Sequence, residues 1–201
     1  AESQNVAIGV NALEDMNSEE NNQNVAVGYR AAANLTTGTQ NTAIGTETLG
    51  TGIVTGDYNV AVGYNAGKAT TSATKNTAVG STALLAATTG GYNTAVGADT
   101  LDAIIGGTHN IAIGYRAGHA MTIADRNIAI GNYALGTQID GNTNVAIGYE
   151  ALTTLEPSSD ADTHNVAMGY QAGRLMTTGT GNTVIGGNAG DALTTGEGNV
   201  A

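Results

Sequence analysis

Apolar and polar positions alternate along this chain in short bursts, and each burst opens on asparagine. The motif Asn-x-Ala-(Ile/Val/Met)-Gly begins at Asn5, Asn24, Asn41, Asn59, Asn76, Asn93, Asn110, Asn127, Asn144 and Asn165. A variant with Val184 in the alanine slot begins at Asn182, and a shortened copy begins at Asn199. The second and fourth residues are β-branched or otherwise apolar, with Thr42, Thr77, Thr94 and Thr183 admitted at the second. Alternation at period two with β-branched residues predicts a short strand. Three residues beyond the motif glycine, Ala recurs in every full copy except those with Thr48 and Thr100, which predicts a second short strand. Thr/Gly stretches such as Thr88-Thr89-Gly90 close the copies. Glycine stands three residues before the next Asn at 38, 56, 90, 107, 141, 179 and 196, where it is expected to supply a backbone conformation that other residues disfavour. Each copy therefore reads as strand, bend, strand, loop. A helical reading fails, because each interior glycine costs about 1 kcal/mol relative to alanine.

Successive motifs are 19, 17, 18, 17, 17, 17, 17, 17, 21, 17 and 17 residues apart. Residues 1–201 thus form one repeat array with no separate domain or linker. A unit of this size cannot bury its own apolar face, so neighbours must stack. The expectation is an all-β fold, a parallel β-solenoid of about eleven 17-residue coils. At 4.7–4.9 Å between strands these make a rod of roughly 50 Å. The motif asparagines would then form a column. Their amides either bond along it as a ladder or cap their own turns; the sequence leaves both open.

Two further patterns bear on packing. Tyr follows the motif glycine at Tyr29, Tyr64, Tyr115, Tyr149 and Tyr170, and in most of these copies the residue three further on is small. Where that later residue is Leu (Leu13, Leu49, Leu84, Leu101, Leu135), the earlier one is not aromatic. Compensating volumes in a shared packing site would explain this. The first strand also has two faces that avoid water, one aliphatic and one restricted to Ala and Gly. A lone solenoid has one interior, and a continuous exposed apolar stripe is uncommon on a soluble monomer. One face is therefore expected to fill the coil and the other to line an interface between chains.

Composition narrows the function classes. The chain has 201 residues with 30 Gly, one Pro, no Cys, Trp or Phe, and a net charge of −11 from six Lys+Arg against 17 Asp+Glu. Such acidity argues against nucleic acid or an anionic membrane as partner. No apolar run reaches the ~18 residues of a membrane span. Lack of cysteine excludes disulfides and thiolate chemistry. No catalytic constellation emerges, and the reading is not an enzyme and needs no cofactor.

Candidate chemistry is sparse. The slot just before the motif Asn holds Gln4, Gln23, Gln40, Tyr58, Lys75, Tyr92, His109, Arg126 and His164, the pattern of a solvent-facing rim. Within it Tyr58 and Tyr92 are candidates for stacking on sugars. The two longest copies carry acidic clusters, Glu14, Asp15, Glu19 and Glu20 in one, Glu156, Asp160 and Asp162 in the other. Extra residues in repeat arrays emerge as loops, often on the binding face, and Pro157 suits a loop leaving the coil. Asp160, Asp162 and His164 alternate as weak Ca²⁺-ligand candidates, but the turn glycine and distal bidentate acid of a Ca²⁺ loop are missing. A solvated acidic loop is the simpler reading. Asn34-Leu35-Thr36 is an isolated glycosylation-type sequon.

The Val-Ala-Ile-Gly core at 6–9 and 145–148 resembles the head repeats of trimeric autotransporter adhesins. The segments 41–49 and 76–84 resemble still more the Asn-Thr-Ala-(Ile/Val)-Gly-x-x-Ala-Leu arrays of bacteriophage tail fibres and related bacterial surface fibres. The likeness covers essentially the whole chain, although the period is longer than in the adhesin heads. It implies a left-handed β-roll, three chains around one axis, and an extracellular place in a virion or cell-surface fibre that contacts a host. The chain is then expected to be a segment of a longer fibre that spaces or presents host-attachment elements, possible end-to-end stacking included. The alternative is an adhesin head that binds a receptor or glycan through its lateral surface and inserted loops. Ice binding by a threonine array is a third class.

Overall fold

In the computed structural model, which describes residues 4–16, 22–50, 52–157 and 161–201, every motif forms one three-residue strand. These are β1 (Val6–Ile8), β2 (Val25–Val27), β3 (Thr42–Ile44), β4 (Val60–Val62), β5 (Thr77–Val79), β6 (Thr94–Val96), β7 (Ile111–Ile113), β8 (Ile128–Ile130), β9 (Val145–Ile147), β10 (Val166–Met168) and β11 (Thr183–Ile185). They make a single 11-stranded sheet in strict chain order. Every pairing is parallel and in register, so that Ala95 lies on Ala112 and Ala112 on Ala129. The protein is an all-β parallel solenoid, and each strand bonds to its equivalent one coil away.

Alanine faces inward. Ala26, Ala43, Ala61, Ala95, Ala112, Ala146 and Ala167 are fully buried, and the aliphatic residues on either side of them point out. The coil interior is narrow, which is why this column admits almost nothing larger. Val184 is the exception, and its coil makes room. A side chain on Gly190 would lie 2.8 Å from Val184 Cγ1, so the glycine there accommodates the extra methyls.

The asparagine column resolves into a ladder. The backbone N–H of each motif Asn donates to Oδ1 of the Asn one coil earlier, from Asn24 on Asn5 at 2.8 Å, through Asn110 on Asn93 at 3.0 Å, to Asn199 on Asn182 at 2.9 Å. Asn110 Nδ2 reaches the Ala124 carbonyl at 2.7 Å, 14 residues ahead, and Asn93 does the same to Gly107 at 2.8 Å. One side chain thus joins two coils and also fastens the end of its own.

The predicted second strand is absent among the described residues. The segment after each motif glycine is a run of turns stacked on its neighbours by hydrogen bonds such as Leu84 N–H to Thr100 O and Leu101 N–H to Ala117 O. The second and fourth residues after the glycine adopt left-handed backbone, as Asp99 (φ 51°) and Leu101 (φ 47°) do. Alanine recurs there because its side chain is buried between coils, not because the chain is extended. The exceptions Thr48 and Thr100 are equally buried, with hydroxyls donating to Gly45 O at 3.3 Å and Gly114 O at 2.7 Å.

Glycine serves two different needs. Gly97 has φ +137°, and a Cβ on it would lie 2.5 Å from the Gly114 carbonyl oxygen of the next coil, so both conformation and space demand glycine. The glycines three residues before each Asn have ordinary φ, contrary to expectation. At Gly38 the constraint is space alone, since a Cβ would sit 2.5 Å from Gly56 O and 2.7 Å from Leu35 Cδ1.

The core beside the alanine column is two files of larger residues, Leu49, Leu84, Leu101, Leu135 and Leu152 four residues after the motif glycine and Leu35, Ile104, Met121, Leu155 and Met176 seven after it. Here the expected pairing of Tyr with a small residue three positions on needs correction. Tyr29, Tyr64, Tyr115, Tyr149 and Tyr170 are exposed, whereas the leucine slot is buried, so the two do not share a site. Inside the coil the residue three further on also faces the core, small beside large in some coils (Gly118 with Met121, Ala32 with Leu35, Leu84 with Ala87) and large at both places in others (Leu101 with Ile104, Leu152 with Leu155). A side chain on Gly118 would meet Leu101 Cδ2 at 2.7 Å and Met121 Sδ at 3.2 Å.

Candidate functional site

The described residues form no pocket, so the surface is described by its columns. Three longitudinal features can be built from the repeat.

The first is the outward face of the sheet. Its columns are the second and fourth motif residues and the residue after the motif glycine. In the middle of the rod Ile111 and Ile113 stand 40% and 39% exposed on either side of fully buried Ala112. Ile44, Val60, Val96 and Met168 are similarly open. The flanking column carries the five tyrosines, with Tyr149 stacked on Tyr170 at 5.4 Å and Tyr115 edge-on to Tyr133 at 5.5 Å. No position in these three columns, from Val6 to Gly187, bears a charge. The charges sit elsewhere, some of them in pairs that bridge coils, Lys68 with Glu47 at 2.6 Å and Arg116 with Asp99 at 3.5 Å, while His119 Nδ1 lies 2.5 Å from Asp102 Oδ1. Lys68 holds the Glu47 carboxyl below the usual carboxylate range through that hydrogen bond.

The second feature is the rim slot. Gln23, Gln40, Tyr58, Lys75, Tyr92, His109, Arg126 and His164 are exposed, as the sequence predicts, and all have left-handed backbone, from φ 52° to 61°. Their side chains interact up the column. Gln40 Nε2 donates to Gln23 Oε1 at 2.9 Å, Lys75 Nζ donates to the Tyr92 hydroxyl at 3.1 Å, and Tyr92 stacks on His109 at 4.7 Å with planes 5° apart. Lys75 Nζ also lies 6.0 Å from the Tyr58 ring centroid and 4.9 Å from that of Tyr92. The hydroxyl of Tyr92 keeps the Lys75 ammonium above its ordinary range. Stacking of a sugar on Tyr92 is therefore obstructed, because its neighbours in the column already occupy the ring.

The third feature is the pair of lengthened copies. Glu19, Glu20 and Asp160 lie outside the described residues, while Glu14, Asp15 and Glu156 are exposed. Asp162 Oδ1 accepts from Arg126 Nη2 at 3.1 Å, and His164 is a separate rim residue. The described residues contain no group of three potential metal ligands. Pro157 lies over Gly141, where a Cβ would meet its Cγ at 2.8 Å.

Other sequence candidates are absorbed by architecture. Asn34 of the sequon donates its amide to Gly50 O at 2.7 Å, and Leu35 is buried. Threonine hydroxyls in the closing loops bond carbonyls of the next coil, Thr71 to Thr88 O at 2.9 Å and Thr177 to Thr194 O at 3.3 Å, rather than forming a free array for ice. Gln138 was missed by sequence reasoning. It takes the slot held by Met121 and Leu155 in neighbouring coils, fully buried, with Nε2 on the Gly141 carbonyl and Oε1 without a hydrogen-bond partner.

No protein-family model, curated protein or solved structure matches this chain. Among the described residues no helix is long and apolar enough to cross a membrane.

Proposed function

We propose that this chain is a structural segment, shaft or head, of an extracellular fibre on a virion or cell surface, which spaces or presents host-attachment elements. In this reading the coils wind left-handed and three copies lie side by side as a homotrimer. The winding and the number three come from the resemblance to tail-fibre and adhesin repeats.

The observation that supports association is the uncharged outward face of the sheet. A chain at −11 repels its own copies everywhere that its carboxylates lie, and the apolar columns run through all eleven strands without one. Depletion of charge at the centre and enrichment of tyrosine around it is the composition of a protein–protein interface. The rod left alone would keep Ile111, Ile113 and their equivalents in water along its length, a stripe uncommon on a soluble monomer.

Sedimentation or light scattering tests this. The expected mass is three times the 20.0 kDa of the single chain. Ile113→Asp should dissociate the assembly while circular dichroism still reports β structure, because the replaced side chain points away from the coil. A wild-type protein that is a stable monomer with intact β structure would refute association.

A second reading, an adhesin head that holds a receptor or glycan on its lateral surface, is favoured by the continuous rim column around Lys75.

A further inference from the structure

We propose that the rim column Tyr58–Lys75–Tyr92–His109 binds an extended, carboxylate-bearing polysaccharide laid along the rod axis. The inference deepens the adhesive reading and does not depend on whether copies associate.

Charge comes first. The salt bridges among the described residues tie Lys68, Arg116 and Arg126 to carboxylates; Lys75, like Arg30 and Arg174, has none, and of these three it alone lies in the rim column. It is held between two tyrosines, bonded to one hydroxyl, on a chain that carries a large excess of acid. The residues that precede Lys75, Tyr92 and His109 in the chain are Thr74, Gly91 and Thr108, all neutral. Asp57 and Asp125, the nearest acids in that preceding column, are turned onto Thr39 and Thr108, each accepting from a backbone N–H and a hydroxyl. A cation without a counter-ion, fenced from its own protein's acids, is available to an external anion.

Geometry then selects the form of that anion. The column presents polar edges one per coil, at the strand spacing of about 4.8 Å. In order they are a phenol, an ammonium, a phenol and an imidazole, so the neutral donor and the nitrogen base alternate. The faces of Tyr92 are taken up within the column, which leaves its outer edge for hydrogen bonding. A flat surface with no pocket suits an elongated ligand better than a compact one. One donor per coil matches the length of one pyranose in an extended chain, and the alternation matches a polymer with an acid on every second sugar. An extended peptide advances only about 3.3 Å per residue and falls out of step with the coils within a few residues.

The test uses an octasaccharide of alternating β-linked hexuronate and N-acetylhexosamine, titrated into the full chain by calorimetry at physiological salt. The control is the same oligosaccharide with its carboxyls reduced to alcohols. The acidic form should bind roughly 10-fold or more tightly than the reduced form, and Lys75→Ala should weaken it by about 10-fold, as loss of one charge-assisted bond requires. Lys75→Arg should bind within about 3-fold of wild type, and Arg174→Ala should not differ from it. Sedimentation of each variant separates this outcome from that of the assembly reading, since Lys75 lies outside the sheet face. Equal binding of acidic and reduced forms, no effect of Lys75→Ala, no binding at all, or tighter binding of a poly-glutamate peptide would each overturn the proposal.

Discussion

Replacing one asparagine in the middle of the rod tests the ladder directly. In Asn110→Ala the backbone N–H at 110 still reaches Asn93 Oδ1, so the bond to the previous coil survives. Two others do not. Asn127 N–H loses the Oδ1 acceptor it meets at 2.9 Å, and the Ala124 carbonyl loses the amide donor at 2.7 Å. Both groups are inside the coil, and Asn127 is fully buried. Leaving a buried polar group unsatisfied costs about 1–3 kcal/mol, so the variant should lose roughly 2–6 kcal/mol locally, before relaxation or a trapped water reduces it. Asn199→Ala is the matched control. Its side chain is exposed, no later motif asparagine in the chain donates to it, and only its own donations to Asn182 Oδ1 and Glu197 O disappear. That should cost about 1 kcal/mol or less. A long repeat array need not unfold in one step, so the assay is native-state hydrogen exchange read amide by amide. The Asn127 amide should exchange much faster in Asn110→Ala, while the Asn93 amide, which donates to Asn76 Oδ1 at 2.8 Å, should change far less. Equal losses at 110 and 199, or unchanged protection at Asn127, would show that these asparagines act singly and that the ladder contributes nothing.

Gly97→Ala should disrupt its coil, because the added methyl meets the Gly114 carbonyl at 2.5 Å in a backbone conformation that L-residues avoid; Gly187→Ala, with nothing within 4 Å of the new methyl, should fall within about 0.5 kcal/mol of wild type in denaturant unfolding. Lys68→Met should move the NMR titration midpoint of Glu47 upward, since the Lys68 hydrogen bond and charge are what depress it. A carboxyl depressed on folding adds stability above its ordinary pKa and loses it as pH falls through the depressed one. The variant should therefore lose less stability than wild type across the acid range, by a small amount at so exposed a pair; an unmoved midpoint would reject Lys68 as the cause.

What was legible in the sequence is what repeats without choice. The motif fixes strand, spacing and stacking because Ala112 and Gly97 occupy places where little else fits, and that exclusion shows directly as near-invariance between copies, Val184 being the one replacement in the alanine slot. The asparagine column was visible but its bonding was not. A ladder and a set of caps call for the same residue at the same spacing, and only the distance from Asn110 N to Asn93 Oδ1 separates them. The second strand was misread for a physical reason. Alanine every coil at a buried turn looks like alanine every coil on a buried strand, and the turn betrays itself by φ, as at Asp99 and Leu101, which composition does not carry. Likewise the correlation of Tyr with a small residue was real in the letters but joined residues on opposite sides of the wall. The space beside Gly118 is filled from within the coils by Leu101 and Met121, whose Cδ2 and Sδ a Cβ there would meet at 2.7 and 3.2 Å.

The same logic separates the two outer surfaces. In the two strand columns of the sheet face identity varies only among Val, Ile, Thr and Met, and the column beside them is mixed but uncharged, which is how a sequence records packing against a broad, flat neighbour. In the rim slot even the class varies, Gln, Tyr, Lys, His, Arg and Gly, while the backbone stays left-handed. Architecture constrains the φ of that slot and not its side chain, so its chemistry is free to differ from coil to coil. The uncharged face is therefore uniform along the rod and suited to another copy of the same periodic object. In the rim, unlike residues engage one another between Tyr58 and His109, and that stretch rather than the sheet is where the proposed ligand is expected to lie.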